Sequence, residues 1–378
     1  MALILTDDQT QLRDSARDFL SEQSPVSALR ALRDSADADG FSRPLWARFA
    51  EMGYTGMLVP EAHGGLGLGH VEVGVVMDQI GHQLCASPLL ASAVVATTAL
   101  TLAGSAAQQA AWLPRLAAAQ AIASLAVDEA GKHRPQALAT TARADGNGWV
   151  LDGAKTLVLD GHVADLFIVA ARVGDAAETG GTGLFLVAAG TAGVQVERTV
   201  MVDAHNAARV RFQSVRLGAD ALLGTAETGA ATLAATLDAG RCAAAAELLG
   251  LADEVFARTV DYIKQRKQFG KLIGEFQALQ HRAAMLYADL EISRAALMAA
   301  QQAMDADIHA AGRAVAVAKA RAGRTATTAV QEGVQMHGGM GMTDAFEIGF
   351  FMKRARVLQE LWGDHHFHTD AFAAQVGY

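Results

Sequence analysis

With 378 residues, half of them apolar, and a net charge of −9, the chain can build two or three domains and offers no basic tract to a nucleic acid. Its two cysteines, Cys85 and Cys242, provide no disulfide framework and suit a reducing, cytoplasmic setting. No window approaches ~18 uninterrupted apolar residues, so no membrane-spanning helix is expected, and the opening MALILTDDQTQ puts acids where a secretory leader needs bases.

Residues 1–122 read as helices. Thr6 or Asp7 can cap the first, which continues through Leu12, Ala16, Phe19 and Leu20. Leu45, Phe49 and Met52 mark another, stopped at Gly53. Val59-Pro60-Glu61 and the glycines of His63-Gly64-Gly65-Leu66-Gly67 predict a loop, and no Lys-Ser/Thr follows to make it a phosphate loop. The stretches 71–102 and 108–119 return to an apolar, Ala-rich helical pattern.

Near Leu125 the period changes to that of strands. Asp145-Gly146-Asn147-Gly148 is a hairpin signal, and strand-like runs occupy 149–151, 166–170, 184–187, 194–199 and 210–215. The predicted β-domain spans 123–225, with the stretch from Gly174 to Gly183 as a loop inside it. From 226 to 378 the pattern is helical again.

Two stretches in that last segment carry chemistry. Arg266-Lys267-Gln268-Phe269-Gly270, followed by Gln277, lies between two amphipathic runs and reads as a helix end, a turn and a second helix. A guanidinium there suits a phosphate or carboxylate, and Phe269 offers a flat apolar face; a solvated charge and a packed ring would look the same. Gln335-Met336-His337-Gly338-Gly339-Met340-Gly341 ends a helix that begins near Arg313 and leaves backbone free for close approach.

R-x-Q-F-G, followed about seventy residues later by Q-x-H-G-G-x-G, resembles the acyl-CoA dehydrogenase family. Val59-Pro60-Glu61 with its glycine-rich turn, and the punctuation Gly153-Ala154-Lys155, extend the likeness over nearly the whole chain. The resemblance implies an α+β, mostly α, fold: an N-terminal helical domain (1–122), a central β-barrel or sandwich (123–225) and a C-terminal four-helix bundle (226–378). It implies FAD-dependent α,β-dehydrogenation of an acyl-CoA thioester. In that reaction a carboxylate takes the α-proton while the β-hydrogen leaves as hydride to the flavin. Electron-transfer flavoprotein or a similar acceptor would then reoxidise the cofactor.

By the same resemblance Arg266 binds the FAD pyrophosphate and Phe269 packs on the adenine side. Gln268 and Gln277 lie nearby, and Gln335, Gly338 and Gly339 belong to the bare-backbone motif. In the family the two motifs meet across a subunit interface, so a homo- or heterotetramer is implied. Asp238 matches a position that contacts the pantetheine of CoA, and Arg241 the characteristic arginine one turn later.

The chain departs from the family in two places. Val127-Asp128-Glu129-Ala130-Gly131-Lys132 stands where T-E-P and A-G-S-D are usual, and Leu157-Val158-Leu159 where W-I-T or W-I-S is usual. The ring-covering aromatic and the ring-binding hydroxyl are therefore both leucine. At the usual catalytic Glu stands Trp362, in Leu361-Trp362-Gly363-Asp364, and the alternative base address before Arg241 holds Gly240. Asp364 is the first candidate for the base, with a capping role as the competing reading; Glu360 points away and Asp238 is committed to CoA. His365, His366 and His368 lack the carboxylate or thiol that would complete a metal set, and no metal is expected. The expected protein is either the base-poor partner in a heteromeric acyl-CoA dehydrogenase or a self-sufficient enzyme using Asp364. A structural subunit and a flavin monooxygenase of this fold are the rivals.

Overall fold

The computed structural model describes residues 3–174 and 181–378, so part of the loop expected between Gly174 and Gly183 lies outside the described residues. Six helices come first: α1 (Asp7–Gln23), α2 (Val26–Asp34), α3 (Arg43–Glu51), α4 (His70–Gln83), α5 (Thr97–Ala103) and α6 (Ala106–Ala117). Eight strands follow: β1 (Ala123–Ala126), β2 (Thr141–Asp145), β3 (Gly148–Leu159), β4 (Leu166–Val173), β5 (Thr182–Ala188), β6 (Val194–Val200), β7 (Asn206–Gly218) and β8 (Leu222–Leu223). The remainder is α7 (Gly229–Gln265), the two-stranded hairpin β9 (Lys267–Gln268) and β10 (Lys271–Leu272), then α8 (Gln277–Ala306), α9 (Gly312–His337), α10 (Ile348–Glu360) and α11 (His365–Gln375). Helical, β and helical segments thus follow one another as the periodicity predicts.

Local chemistry explains most boundaries. Thr6, not Asp7, caps α1: its hydroxyl accepts from Gln9 N while the Gln9 side chain returns to the Thr6 N–H. The run 71–102, expected to be continuous, breaks at Leu84, whose φ is 51°. Pro88 then opens a π-helical stretch, Leu89–Ala96, that leads into α5. Helix α2, whose bounds the sequence reading does not give, buries Val26 and Leu29 of its nine residues on one face.

Contacts divide the chain into two compact units. The first takes residues 1–34, 70–85 and 241–378. Within it α9 packs against α8, α10 and α11. Helix α4 meets α7 backbone to backbone: a Cβ added at Gly81 would lie 2.2 Å from the Glu247 carbonyl oxygen, and one at Gly250 would lie 1.9 Å from that of Asp78. Buried Arg354 of α10 donates to Glu247 of α7 at 2.7 Å. A charge chain extends this core, from Asp78 through His82, Glu254 and Arg258 to Glu347 at the start of α10.

The second unit takes residues 35–69 and 86–240. Its eight strands form one sheet in the order β6-β7-β3-β2-β4-β5-β8, with β1 added parallel to β4. The alternating inward residues Leu151, Val158, Phe167, Val169, Phe185, Phe212 and Val215 make one continuous apolar core. Gly146 (φ 61°) sits in the two-residue turn between β2 and β3, as the hairpin signal predicts.

Candidate functional site

The stretch around Arg266 is built as an outward-facing hairpin. Helix α7 ends at Gln265, and Arg266 closes it, its N–H donating to Tyr262 O at 2.9 Å and its carbonyl accepting from Ile273 N at 2.9 Å. Between β9 and β10 the turn residues Phe269 and Gly270 have φ of 54° and 81°. Such a turn needs left-handed backbone at both central positions, which glycine supplies freely and phenylalanine at a cost of about 1 kcal/mol. Phe269 is nevertheless 91% exposed, touching only the edge of Phe276 at a ring distance of 6.2 Å. Arg266 is exposed and makes no ion pair among the described residues. Gln268 donates to the carbonyl of Lys267, and Gln277 opens α8, exposed. A strained aromatic and an unengaged guanidinium side by side offer a ring face and an anion site together.

The glycine-rich stretch is also presented outward. At Gly338 φ is 59° and ψ −139°, a pairing closed to side-chain-bearing residues. A Cβ at Gly338 or Gly339 would meet nothing within 4 Å, so no neighbour in this chain requires the bare backbone at Gly339. Gln335 is exposed one turn earlier. His337 anchors the turn from beneath: its Nδ1–H donates to Gly333 O at 2.7 Å, and its ring lies 4.3 Å from Tyr262 and 4.7 Å from Phe346. Burial pushes this imidazole down from its ordinary range, so it is neutral. Tyr262 stands one helical turn before Arg266, so the ends of α7 and α9 that carry the two motifs are packed together within one chain.

The address of the family's base is closed. Trp362 is 4% exposed and has φ of 54°, followed by Gly363 at 111°. Two buried cations hold this turn. Arg241 donates from Nε to the Trp362 carbonyl at 3.0 Å. Lys319 donates from Nζ to the carbonyls of Leu358 (2.9 Å), Gln359 (3.1 Å) and Gly363 (3.2 Å). Burial, and then the charge of Arg241, pushes Lys319 down to about 7. Asp364 is the N-cap of α11, its carboxylate accepting from Phe367 N at 2.8 Å. The capping role, the competing reading of that residue, is therefore the one its geometry displays, and Glu360 is exposed. Arg241, expected on the substrate side, spends its Nε on the turn. Asp238 lies half-buried on α7. The role of Lys319 could not be read from sequence, where it is one lysine in an Ala-rich helix.

In the second unit the stretch expected near a flavin ring is fastened down. The Glu129 carboxylate accepts from Lys155 Nζ at 2.7 Å and from the N–H groups of Ala139 (2.6 Å) and Thr140 (2.9 Å). Burial pushes the Lys155 ammonium down against the pull of Glu129. Asp128 pairs with His133 at 2.7 Å, and its carbonyl accepts from Thr156 N. Leu157 sits at a register shift between β3 and β7 with φ of 52°, and it is 43% exposed. Neither it nor Leu159 offers a π face or a hydroxyl.

Among the described residues, the grouping with metal-like spacing is Asp78, His82 and Asp253. Burial opposes charge on His82, yet hydrogen bonds to Asp78 and Glu254 and their charges raise it to about 10. A protonated ring is a donor there, not a ligand. His365 and His366 stack at 3.9 Å, and His368 is buried.

A free guanidinium, an exposed ring and bare glycine backbone fit the pyrophosphate and adenine of a dinucleotide such as FAD, whereas the leucines at 157 and 159 do not fit an isoalloxazine ring. Three family models match in order: the acyl-CoA dehydrogenase N-terminal domain over residues 6–120, the middle domain over 125–215 and the C-terminal domain over 227–377. The chain is 30% identical over 332 residues to acyl-CoA dehydrogenase FadE12 of Mycobacterium tuberculosis, covering 86% of this chain and 85% of that one. Among solved structures it is similar to a variant of the Tcur3481-Tcur3483 steroid ACAD, with a TM-score of 0.88, 30% identity and 98% of each chain covered. It is also similar to the ChsE4-ChsE5 complex from Mycobacterium tuberculosis, with a TM-score of 0.90, 26% identity, 100% of this chain and 99% of that chain covered.

Proposed function

Because this chain belongs to the acyl-CoA dehydrogenase family, we propose that it serves as the base-lacking subunit of a heteromeric acyl-CoA dehydrogenase, gripping the adenosine end of FAD. The family's members are oxidoreductases acting on acyl-CoA. The observation that carries the finer reading is at the base address: a buried indole at position 362, and the nearest following acid, Asp364, used to cap a helix. Removing a weakly acidic α-proton needs a carboxylate at the reacting carbon, and in this reading a related chain supplies it.

FAD, when bound, accepts the β-hydrogen with its electron pair. This chain's part is to bind and orient. The Arg266 guanidinium takes the pyrophosphate by paired hydrogen bonds, and Phe269 covers the adenine with Gln268 and Gln277 at its rim. Gly338 and Gly339 bring bare backbone to the dinucleotide, with the exposed Gln335 one turn before them. Asp238 and Arg241 stand on the CoA side in this reading. The ring-side aromatic and hydroxyl come from the partner. Two of the similar structures carry names that join two chains, which supports a heteromer. Electron-transfer flavoprotein or a similar carrier is the acceptor in this reading. The buried Cys85 and Cys242, neither in a disulfide, are in keeping with a reducing cytoplasm.

Native mass spectrometry of the chain, expressed alone and together with a related chain that retains the catalytic Glu, tests the reading. The expected result is a colourless chain alone and a yellow mixed assembly holding fewer FAD molecules than chains. In that assembly Asp364→Asn should leave turnover of an acyl-CoA within a few-fold of the parent. A chain that binds FAD by itself, oxidises an acyl-CoA and loses turnover but not flavin in Asp364→Asn would show Asp364 to be the base and end the proposal.

A further inference from the structure

The glycine turn is held at both ends, and the second anchor comes from a helix remote in sequence. Thr343 closes the turn on itself, its hydroxyl donating to Met340 O at 2.8 Å. The next residue, Asp344, is gripped from α2. Arg33 donates to both of its oxygens, from Nη1 at 2.6 Å and Nη2 at 2.9 Å, and Arg30 adds a bond from Nη1 at 3.1 Å. The Cζ atoms of Arg30 and Arg33 lie over the ring of Phe350 in α10, 4.6 and 4.8 Å from its centroid. Phe350 is buried, so it serves as a fixed floor for the two cations.

The arrangement exceeds an ordinary surface ion pair. A paired fork fixes direction as well as distance, and stacking on a buried ring removes the freedom that makes most exposed pairs weak. The carboxyl of Asp344 is held at about 2, chiefly by its hydrogen bonds to Arg33. Between this clamp and the buried His337 stand Gly338, Gly339 and Met340, all exposed, with open space over both glycines. The stretch Gly338–Met342 forms one short 3-10 turn, but Gly338 and Gly339 add no side-chain contact that would fix its placement, so its direction depends on its anchors.

We propose that Arg33, seconded by Arg30, is a positioning residue for the FAD-binding turn: through Asp344 it sets the height and direction at which the Gly338–Gly339 backbone meets the dinucleotide. The inference rests on the FAD reading above. It predicts that α2, which touches no part of the two motifs by sequence, controls cofactor retention.

The test is FAD affinity of the mixed assembly, stripped of cofactor and titrated with FAD while flavin fluorescence is followed, with melting temperature recorded in parallel. Arg33→Gln and Asp344→Asn should each weaken FAD binding roughly tenfold, as a small misplacement of a binding element does, with melting of the FAD-free assembly shifted little. Arg33→Lys, which keeps the charge but not the fork, should fall between, and the exchange Arg33→Asp with Asp344→Arg should recover part of the affinity. Affinity unchanged in Arg33→Gln, while Arg266→Ala abolishes binding, overturns this inference and leaves the FAD reading standing. Undiminished binding in Arg266→Ala overturns the FAD reading and this inference with it. A loss of affinity in Arg33→Lys and Arg30→Gln that merely follows the fall in melting temperature shows the clamp to be structural only and also overturns it.

Discussion

Arg241 and Trp362 lie 121 residues apart and are joined by a buried hydrogen bond, from the guanidinium Nε to the Trp362 carbonyl at 3.0 Å. The bond secures a tryptophan in left-handed backbone, a conformation that a bulky residue keeps only when its surroundings over-determine it. Replacing Arg241 by Met should therefore cost about 2 kcal/mol of stability, the worth of a hydrogen bond to a charged group. Urea unfolding checks this. A change below a few tenths of a kcal/mol would mean that Lys319 alone holds the turn.

Lys319 serves three carbonyls, so Lys319→Met should be more damaging, by about 3 kcal/mol or more, because buried acceptors lose their donor. Its pH signature follows from a folded pKa of about 7, below the unfolded value of 10.5. A lowered lysine opposes folding in its charged form. That opposition is complete below about pH 7 and fades as pH rises toward 10.5. Wild type should thus gain stability relative to Lys319→Met between those limits, read from melting curves of both proteins across that window.

Phe269 is in strained backbone and in solvent, so its removal should help the fold. Phe269→Gly is expected to raise stability by about 1 kcal/mol while lowering the affinity of the mixed assembly for FAD. Differential scanning calorimetry and flavin titration measure the two effects separately. Stability and cofactor grip moving down together would contradict the geometry described for this turn.

His82 provides the opposite pH signature. Its folded pKa of about 10 exceeds the unfolded 6.5, through hydrogen bonds to Asp78 and Glu254 that outweigh burial. A raised histidine stabilises fully below about pH 6.5, and the contribution is lost as pH climbs through about 10. His82→Gln should consequently melt well below wild type at pH 6, and the two curves should converge near pH 10.5. A gap that stays constant with pH would show the ring to be neutral in the fold.

Periodicity and turn chemistry made the helical, β and helical order legible, because each segment carries enough buried positions to set a rhythm. Short or interrupted elements escaped it: α2 is only nine residues long, and the break at Leu84 has no glycine to announce it. Arg266, Phe269 and the glycines of 338–341 stood out as letters in two short motifs, although the fold of this chain alone does not require Phe269 or a bare backbone at Gly339. The substitution of Trp for the base at 362 was equally visible. That Asp364 caps α11 was not, since N-caps and bases favour the same carboxylate and the bond from Phe367 N appears only in the fold. Pairings such as Arg33 with Asp344, 311 positions apart, leave no local mark at all.

The crossing of α4 and α7 at Gly81 and Gly250 leaves no clearance for even a methyl group. Widening it at either residue must pry the helices apart by more than an ångström. The strain would travel along the charge chain through His82, Glu254 and Arg258 to the first turn of α10, and so to the stretch just beyond the glycine-rich loop. An alanine at a place remote in sequence from the glycine-rich loop should then disturb the setting of that loop.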